Sequence, residues 1–540
     1  MRRPMQQLTL IYSLVRHISH FNFILPSSRK ERSCFWHSWL IRVSAPDQRS
    51  YFYISIYFTA DTMTVTRVLV ILCSLHVQCT VGQSVSVTVA TDKEIATIDD
   101  HFVGVTFDSQ MLPISINWMG LDFGSPKVQT LAKALSPCYL RIGGTPGDFM
   151  TFDPTGHGGT SPDSTYTGAE WDKLNNFLET VGWDLVFGLN VLKRKDGQWD
   201  PDNAKELMTY SNARNYKIPA FELGNEPEYF PEPFTNTISG AQLGRDFVHL
   251  REIIKSTPGF ESTLVIGPDV TGISGRKSIL FQNFFEGEGS KAVDRITFHQ
   301  YYAFEGDATV NTCLDPKVMD SLISDIHRVR NVTTPSNPDT PLWLWETSSF
   351  YGGGTPALSD RYVAGFLWLD KLGVASRMGL KGVLRQSYYG HNYSLIEMNT
   401  FEPYSDYWLT LLYKRLVGNK VLSVQTNSTN SFRVYAHCAK QNSVYNYKPG
   451  SVVIYIVNVN IYTTVVTFPQ FQKNMDLFWL RPEFIELTSR NVTLNGKRLD
   501  YVNNTIPDMP PQKAYGGLLM LPARTFGFAV FPDADVDICK

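Results

Sequence analysis

Cysteine is scarce in this chain of 540 residues. There are seven, and only Cys138, Cys313, Cys438 and Cys539 lie beyond residue 82. So few excludes a disulfide scaffold and leaves a hydrophobic core to hold the fold. A strong charge of one sign is lacking too. The formal net charge is −2, yet nine of the 49 basic and three of the 51 acidic residues fall in 1–82, so the remainder carries about −8. An acidic body excludes nucleic-acid binding as a default, and a polyanionic ligand would need a local basic patch. Internal repeats, low-complexity tracts, a phosphate loop, a nucleotide fingerprint and a metal-ligand cluster are all missing. No cofactor and no metal are therefore expected.

Long apolar runs are missing as well. Val68–Leu75 is far too short to span a bilayer. Preceded by Met63-Thr64-Val65-Thr66-Arg67 and followed by small residues near Gly82, it predicts a secretory signal over 63–82. The mature protein is then expected outside the cell, in the extracellular matrix, or in the lysosome. Residues 1–62 are aromatic-rich without a period and read as an upstream extension or leader. The sequons at Asn331, Asn392, Asn427, Asn491 and Asn503 fit an exported chain.

What is present is an alternation of short apolar runs with longer helical patterns. The runs are Phe102–Phe107, Cys138–Ile142, Asp184–Asn190, Ala220–Gly224, Leu264–Gly267, Arg295–Phe298, Leu342–Trp345 and Gly382–Gln386. Between them lie amphipathic stretches such as Ser125–Leu135, Trp171–Val181, Gln242–Ser256 and Val318–Arg330. This predicts an α/β fold, a (β/α)8 TIM barrel over 101–418. From 419 to 540 the pattern changes to strands, among them Ser431–His437, Ser451–Asn458 and Thr525–Phe531, which predicts a C-terminal β-sandwich. An early strand within 83–100, Ser84–Ala90, is placed to join it. Cys438 and Cys539 stand at the two ends of this domain and are expected to form a disulfide, with Cys138 a buried thiol. Residues 156–163 read as a flexible loop.

Two glutamates carry the chemistry. Phe221-Glu222-Leu223-Gly224-Asn225-Glu226-Pro227 leaves the fourth barrel strand, and Trp343-Leu344-Trp345-Glu346-Thr347 leaves the seventh. Both carboxylates then reach the C-terminal mouth, where barrel enzymes place their active sites. Such a pair suits glycoside cleavage, one carboxyl donating a proton and the other attacking the anomeric carbon. A lone glutamate at a strand end is most often a capping or surface residue; the pair on opposite strands is far more specific. Glu222 and Glu228 read as structural or rim residues.

The stretch from Glu346 through Gly352-Gly353-Gly354, then Ala364–Gly373, then Asp406-Tyr407-Trp408 leading into Leu411–Gly418, resembles the heparanase family of retaining endo-β-glucuronidases. The likeness runs from about residue 84 to Cys539. It implies that Glu226 is the acid/base and Glu346 the nucleophile of a double displacement on heparan sulfate or a related glucuronic-acid polysaccharide, with an acidic pH optimum. It further implies that Asn225 binds the hydroxyl beside the anomeric carbon and that Asp108 and Thr145 line the sugar subsite. Tyr301 is to orient the nucleophile beside His299, while Gly352, Gly353, Gln386 and Tyr393 hold the uronic carboxylate. Taken alone, Gly352–Gly354 reads as a plain loop and His299 as a satisfied core histidine.

Three departures stand out. The long excised insert after strand two of vertebrate members is absent, which implies a monomeric single chain with an open cleft. The basic cluster after strand five is thinned to Arg276 and Lys277, and Lys193-Arg194-Lys195 offers either a replacement or a merely solvated face. Trp345 stands where the family has a small residue, and strand alternation predicts that it packs against the helices. Two further substrate readings are hyaluronan cleavage and exo-β-glucuronidase action. From another class comes a non-catalytic glycan-binding protein, whose mark would be a lost carboxylate; both are present here.

Overall fold

Eight runs rich in β-branched and aromatic residues become eight parallel strands closed into a barrel. They are β1 (Val103–Asp108), β2 (Cys138–Gly143), β3 (Trp183–Leu189), β4 (Ala220–Leu223), β5 (Leu264–Val270), β6 (Arg295–Gln300), β7 (Leu342–Thr347) and β8 (Gly382–Arg385). Each pairs with its neighbours in chain order, and β8 returns to β1. This is a computed structural model, and it describes residues 38–42, 51–55, 84–109, 121–156, 165–229, 238–271 and 273–540. The signal expected over 63–82 and most of the 156–163 loop lie outside the described residues. Within 1–62, Ser38–Arg42 and Tyr51–Ser55 pair antiparallel. Among the described residues no helix is long and apolar enough to cross a membrane.

The helices form where apolar residues recur every three or four positions, and they bury that stripe on the barrel. Helix Gly240–Ser256 buries Leu243, Phe247, Leu250 and Ile254, and the Ser239 hydroxyl accepts from the Gln242 amide to cap it. Helix Gly168–Val181 starts on a reciprocal cap between Thr167 and Glu170.

Inside the barrel, Val186, Ala220, Ile266, Trp343, Trp345 and Leu384 pack into one apolar layer. Trp345 therefore faces the barrel interior, not the helices as alternation predicts. The reason is a bulge in β7. Phe298 of β6 pairs with Leu344, but the next residue, His299, pairs with Glu346. The extra residue lets consecutive side chains, Trp345 and Glu346, both turn inward. Trp345 stacks on Trp343 with ring centroids 4.4 Å apart, and its indole N–H donates to Glu222.

The second domain contains Val417–Thr426, Phe432–Ala439, Val452–Asn458, Asn474–Pro482 and Thr525–Phe531 in one large sheet. The long strand Ser84–Thr97 enters this sheet, antiparallel to Val417–Thr426 and parallel to Thr464–Thr467. Cys438 and Cys539 are bonded, while Cys138 and Cys313 are buried free thiols. The central strands are buried on both faces rather than alternating. Val434, Ile454, Ile456 and Ala529 face a core within this domain, whereas Tyr435, Tyr455, Phe528 and Val530 face the barrel's own core. Between the two lies helix Ala364–Arg377, whose residues are buried from Ala364 through Ser376.

Candidate active site

The carboxylates of Glu226 and Glu346 meet at the barrel mouth. One oxygen of each and one nitrogen of His299 all lie within 4.8 Å of one another. Glu226 follows β4 with a φ of 46°, in the left-handed region that a side chain other than glycine seldom adopts. Its amide donates to the Asp269 carbonyl at 2.9 Å, and its carboxylate meets His299 Nδ1 at 2.9 Å. Glu346 is the more deeply placed of the two. Tyr301 Oη donates to its Oε1 at 2.8 Å, and Arg141 donates to its Oε2 at 2.7 Å. Two donors, one of them charged, fix the direction of both oxygens.

Arg141, inward-facing on β2, was not among the residues expected here. It is fully buried and holds together four groups from three other strands or their ends. Its Nε reaches Glu222 at 2.9 and 3.1 Å, and its remaining nitrogens reach Glu346, Asn225 at 2.9 Å and Asp269 at 3.4 Å. The signal in the sequence was a single arginine inside the apolar run Cys138–Ile142. A buried arginine must be paired, and a barrel interior is where its partners lie. Asp148 was also missed; its carboxylate accepts from the Asn225 amide at 3.2 Å, and burial pushes it well above the usual range.

The charges in this cluster are sorted by their surroundings. Burial would lower the His299 imidazolium, but the carboxylates of Glu346, Asp269 and Glu226 push it up to about 10. Burial lifts Glu222 well above the carboxylate range despite Arg141. Asp269, which burial would also raise, is held below its ordinary range by Arg141 and His299. The Glu226, His299 and Glu346 trio has metal-ligand chemistry, but a neighbouring cation and the charge on its own imidazole work against an ion. Arg141 at 2.7 Å from Glu346 and a protonated His299 both oppose a divalent ion.

The Glycosyl hydrolase family 79 N-terminal domain matches residues 84–373. The chain belongs to glycosyl hydrolase family 79. Heparanase from Gallus gallus is 37% identical over 469 residues, covering 77% of this chain and 89% of that protein. Hyaluronoglucuronidase from Hirudo nipponia is 34% identical over 498 residues, covering 85% of this chain and all of that one. A 4-O-α-L-rhamnosyl-β-D-glucuronidase structure from Fusarium oxysporum matches with a TM-score of 0.59 over 82% of this chain and 99% of that one. At 18% identity, that likeness speaks for the fold alone. This chain is therefore a glycoside hydrolase, and its two glutamates sit in the heparanase-like frame.

Around the pair, this family 79 site gathers most of the other expected residues. Asp108 ends β1; its Oδ1 accepts from Gln386 Nε2 at 3.0 Å and its Oδ2 meets His391 Nε2 at 2.7 Å. Gln386 also takes the Thr106 hydroxyl. Thr145 is exposed at the start of a 3-10 turn after β2. Tyr393 stacks beside Tyr301 with centroids 6.2 Å apart. Gly352 and Gly353 have φ of 97° and 108°, a turn no L side chain adopts cheaply. Lys277 lies 3.3 Å over the ring of Tyr229, just beyond Glu226, while the Arg276 side chain lies outside the described residues. In Lys193-Arg194-Lys195, Arg194 is committed to Asp246 at 2.9 Å and to the Gly197 carbonyl at 2.7 Å. It serves the loop, which leaves Lys193 and Lys195 as the cations of that run.

Proposed function

We propose that this chain is a retaining endo-β-glucuronidase acting on heparan sulfate. The separation of the two carboxylates carries the reading. Retaining enzymes hold them about 5–5.5 Å apart, whereas inverting ones need about 6.5–9.5 Å to admit water. Oxygens within 4.8 Å fit direct attack by Glu346. Glu346 attacks the anomeric carbon, and Glu226 gives its proton to the leaving sugar. Water then enters, Glu226 takes a proton from it, and the glycosyl ester on Glu346 is hydrolysed. Tyr301 and Arg141 keep the attacking carboxylate aimed. Asn225, held by Arg141 and Asp148, is placed for the hydroxyl beside the anomeric carbon.

The substrate rests on the relatives named heparanase and on the glycine turn, which suits a uronic carboxylate. A monomeric, single-chain, exported protein, extracellular or lysosomal, is part of the same reading; the sequons, the disulfide and the Met63 signal support its export. The test is size-resolved digestion of heparan sulfate, with hyaluronan alongside, at acidic pH, using a Met63-start protein and its Glu346→Gln variant. Mid-sized heparan sulfate fragments that vanish in the variant are expected. Cleavage of hyaluronan alone would overturn the substrate and keep the mechanism.

A further inference from the structure

The glycine turn that is to hold the uronic carboxylate has an awkward neighbour. A Cβ placed on Gly352 would lie 3.1–3.3 Å from the Glu305 side chain, and one on Gly353 would lie 3.7 Å from Glu305 Oε2. A protein carboxylate so close repels a substrate carboxylate, and the neutral donors expected there, the turn's amides with Gln386 and Tyr393, must then overcome that repulsion. The side chains nearest the three glycines are Glu305, His391, Tyr393 and Ser359. Of these, only His391 can carry positive charge. Its Nδ1 lies 3.7 Å from the same point on Gly353, and its Nε2 is bonded to Asp108 Oδ2 at 2.7 Å. Among the described residues no hydrogen bond to Nδ1 is found. The side chain is 22% exposed, so the ring is partly open to solvent.

We propose that His391 is a specificity-determining residue for the uronic carboxylate. Its Nε2–H donates to Asp108, which fixes the ring plane, and Nδ1–H then faces the sugar carboxylate lying on the Gly352–Gly353 turn. Donating to a carboxylate from each nitrogen, the ring offsets Glu305 and favours an acidic sugar over its neutral counterpart. Asp108 from β1 bonds the ring, the Tyr393 ring lies 5.4 Å from it, and Glu305 approaches the same Gly353 point as Nδ1. The inference rests on the endo-β-glucuronidase reading above and deepens it.

The contact exists before and during the reaction, so its loss should raise KM and spare kcat. We would compare the full-length enzyme with His391→Ala and His391→Asn on heparan sulfate and on carboxyl-reduced heparan sulfate. A charge-assisted bond lost from a partly exposed site predicts a KM raised about tenfold on the acidic polymer for both variants. On the reduced polymer the variants and the parent should agree within about twofold. The asparagine variant retains a donor for Asp108 but carries no charge, so it separates charge from placement. Equal kcat losses on both polymers would mean that His391 only positions Asp108, which overturns the proposal. An unchanged KM in both variants overturns it as well. If the parent enzyme cuts neither polymer, the endo-β-glucuronidase reading itself falls, an outcome distinct from either.

Discussion

Arg141 joins more of this site than any residue named from sequence motifs. One planar guanidinium satisfies Glu222, Asn225, Asp269 and Glu346 at once. A lysine keeps the charge but has neither the fork nor the reach for four partners. Arg141→Lys should therefore leave buried carboxylates short of donors, with a loss of about 3 kcal/mol in stability. It should also lower kcat about a hundredfold, because Glu346 and Asn225 lose their shared anchor. Urea unfolding and steady-state kinetics on one preparation would check both effects. Full activity in that variant would show that Tyr301 alone aims the nucleophile.

At the scale of elements, β7 and helix Ala364–Arg377 set the geometry. The bulge in β7 delivers Trp345 to the barrel floor and Glu346 to the mouth from adjacent positions. The helix is pressed between barrel and sheet, and two glycines make that approach feasible. A Cβ on Gly365 would stand 2.4 Å from the Phe526 ring, and one on Gly373 would stand 2.3 Å from the Tyr435 ring. The Tyr435 ring cannot move aside easily. It stacks on Tyr455 at 5.3 Å and its hydroxyl donates to Asp370 on the same helix. In Gly373→Ala the gain in helix propensity is about 1 kcal/mol, while overpacking typically costs 1–3 kcal/mol. With the ring pinned, the clash wins, and a lower urea midpoint with an unchanged m-value is expected.

At the scale of the whole molecule, the contact between barrel and sheet contains a titratable group. His437 donates from Nδ1 to the Gly418 carbonyl at 2.9 Å, and its Nε2 lies 3.2 Å from both the Ser376 and Tyr455 hydroxyls. Burial lowers it from 6.5 to about 4. The folded state thus prefers the neutral ring, and this contribution is intact above pH 6.5 and is lost as pH falls towards about 4. Tm should decline across that window, and His437→Gln should flatten the decline. Parallel Tm curves for the two proteins would assign the acid sensitivity to other groups. His299 has the opposite sign. Its pKa is raised to about 10, so its contribution is complete below 6.5 and is lost only as pH climbs to about 10. The His299 contribution therefore persists under the acidic conditions that strain the domain contact.

Strand and helix existence was legible along the chain because each is a local pattern. Runs of β-branched and aromatic residues between turn signals located all eight barrel strands, and Asn225-Glu226-Pro227 together with Glu346-Thr347 located the carboxylate pair at the strand ends. Alternation failed at Trp345 because a bulge is a property of two paired strands, β6 and β7, and neither run alone records it. It failed again in the central strands of the sheet, whose outer face the barrel covers. The partners of Arg141 lie on β4, β5 and β7 or at their ends, and barrel closure is what brings them to one axis. His391 and Glu305 likewise become neighbours of one turn only when β8 and the segment after β6 are placed side by side. Local side-chain periodicity thus determined the elements and the fold class. Which charges face each other, and therefore their protonation and chemistry, was decided by contacts across the barrel that chain spacing does not encode.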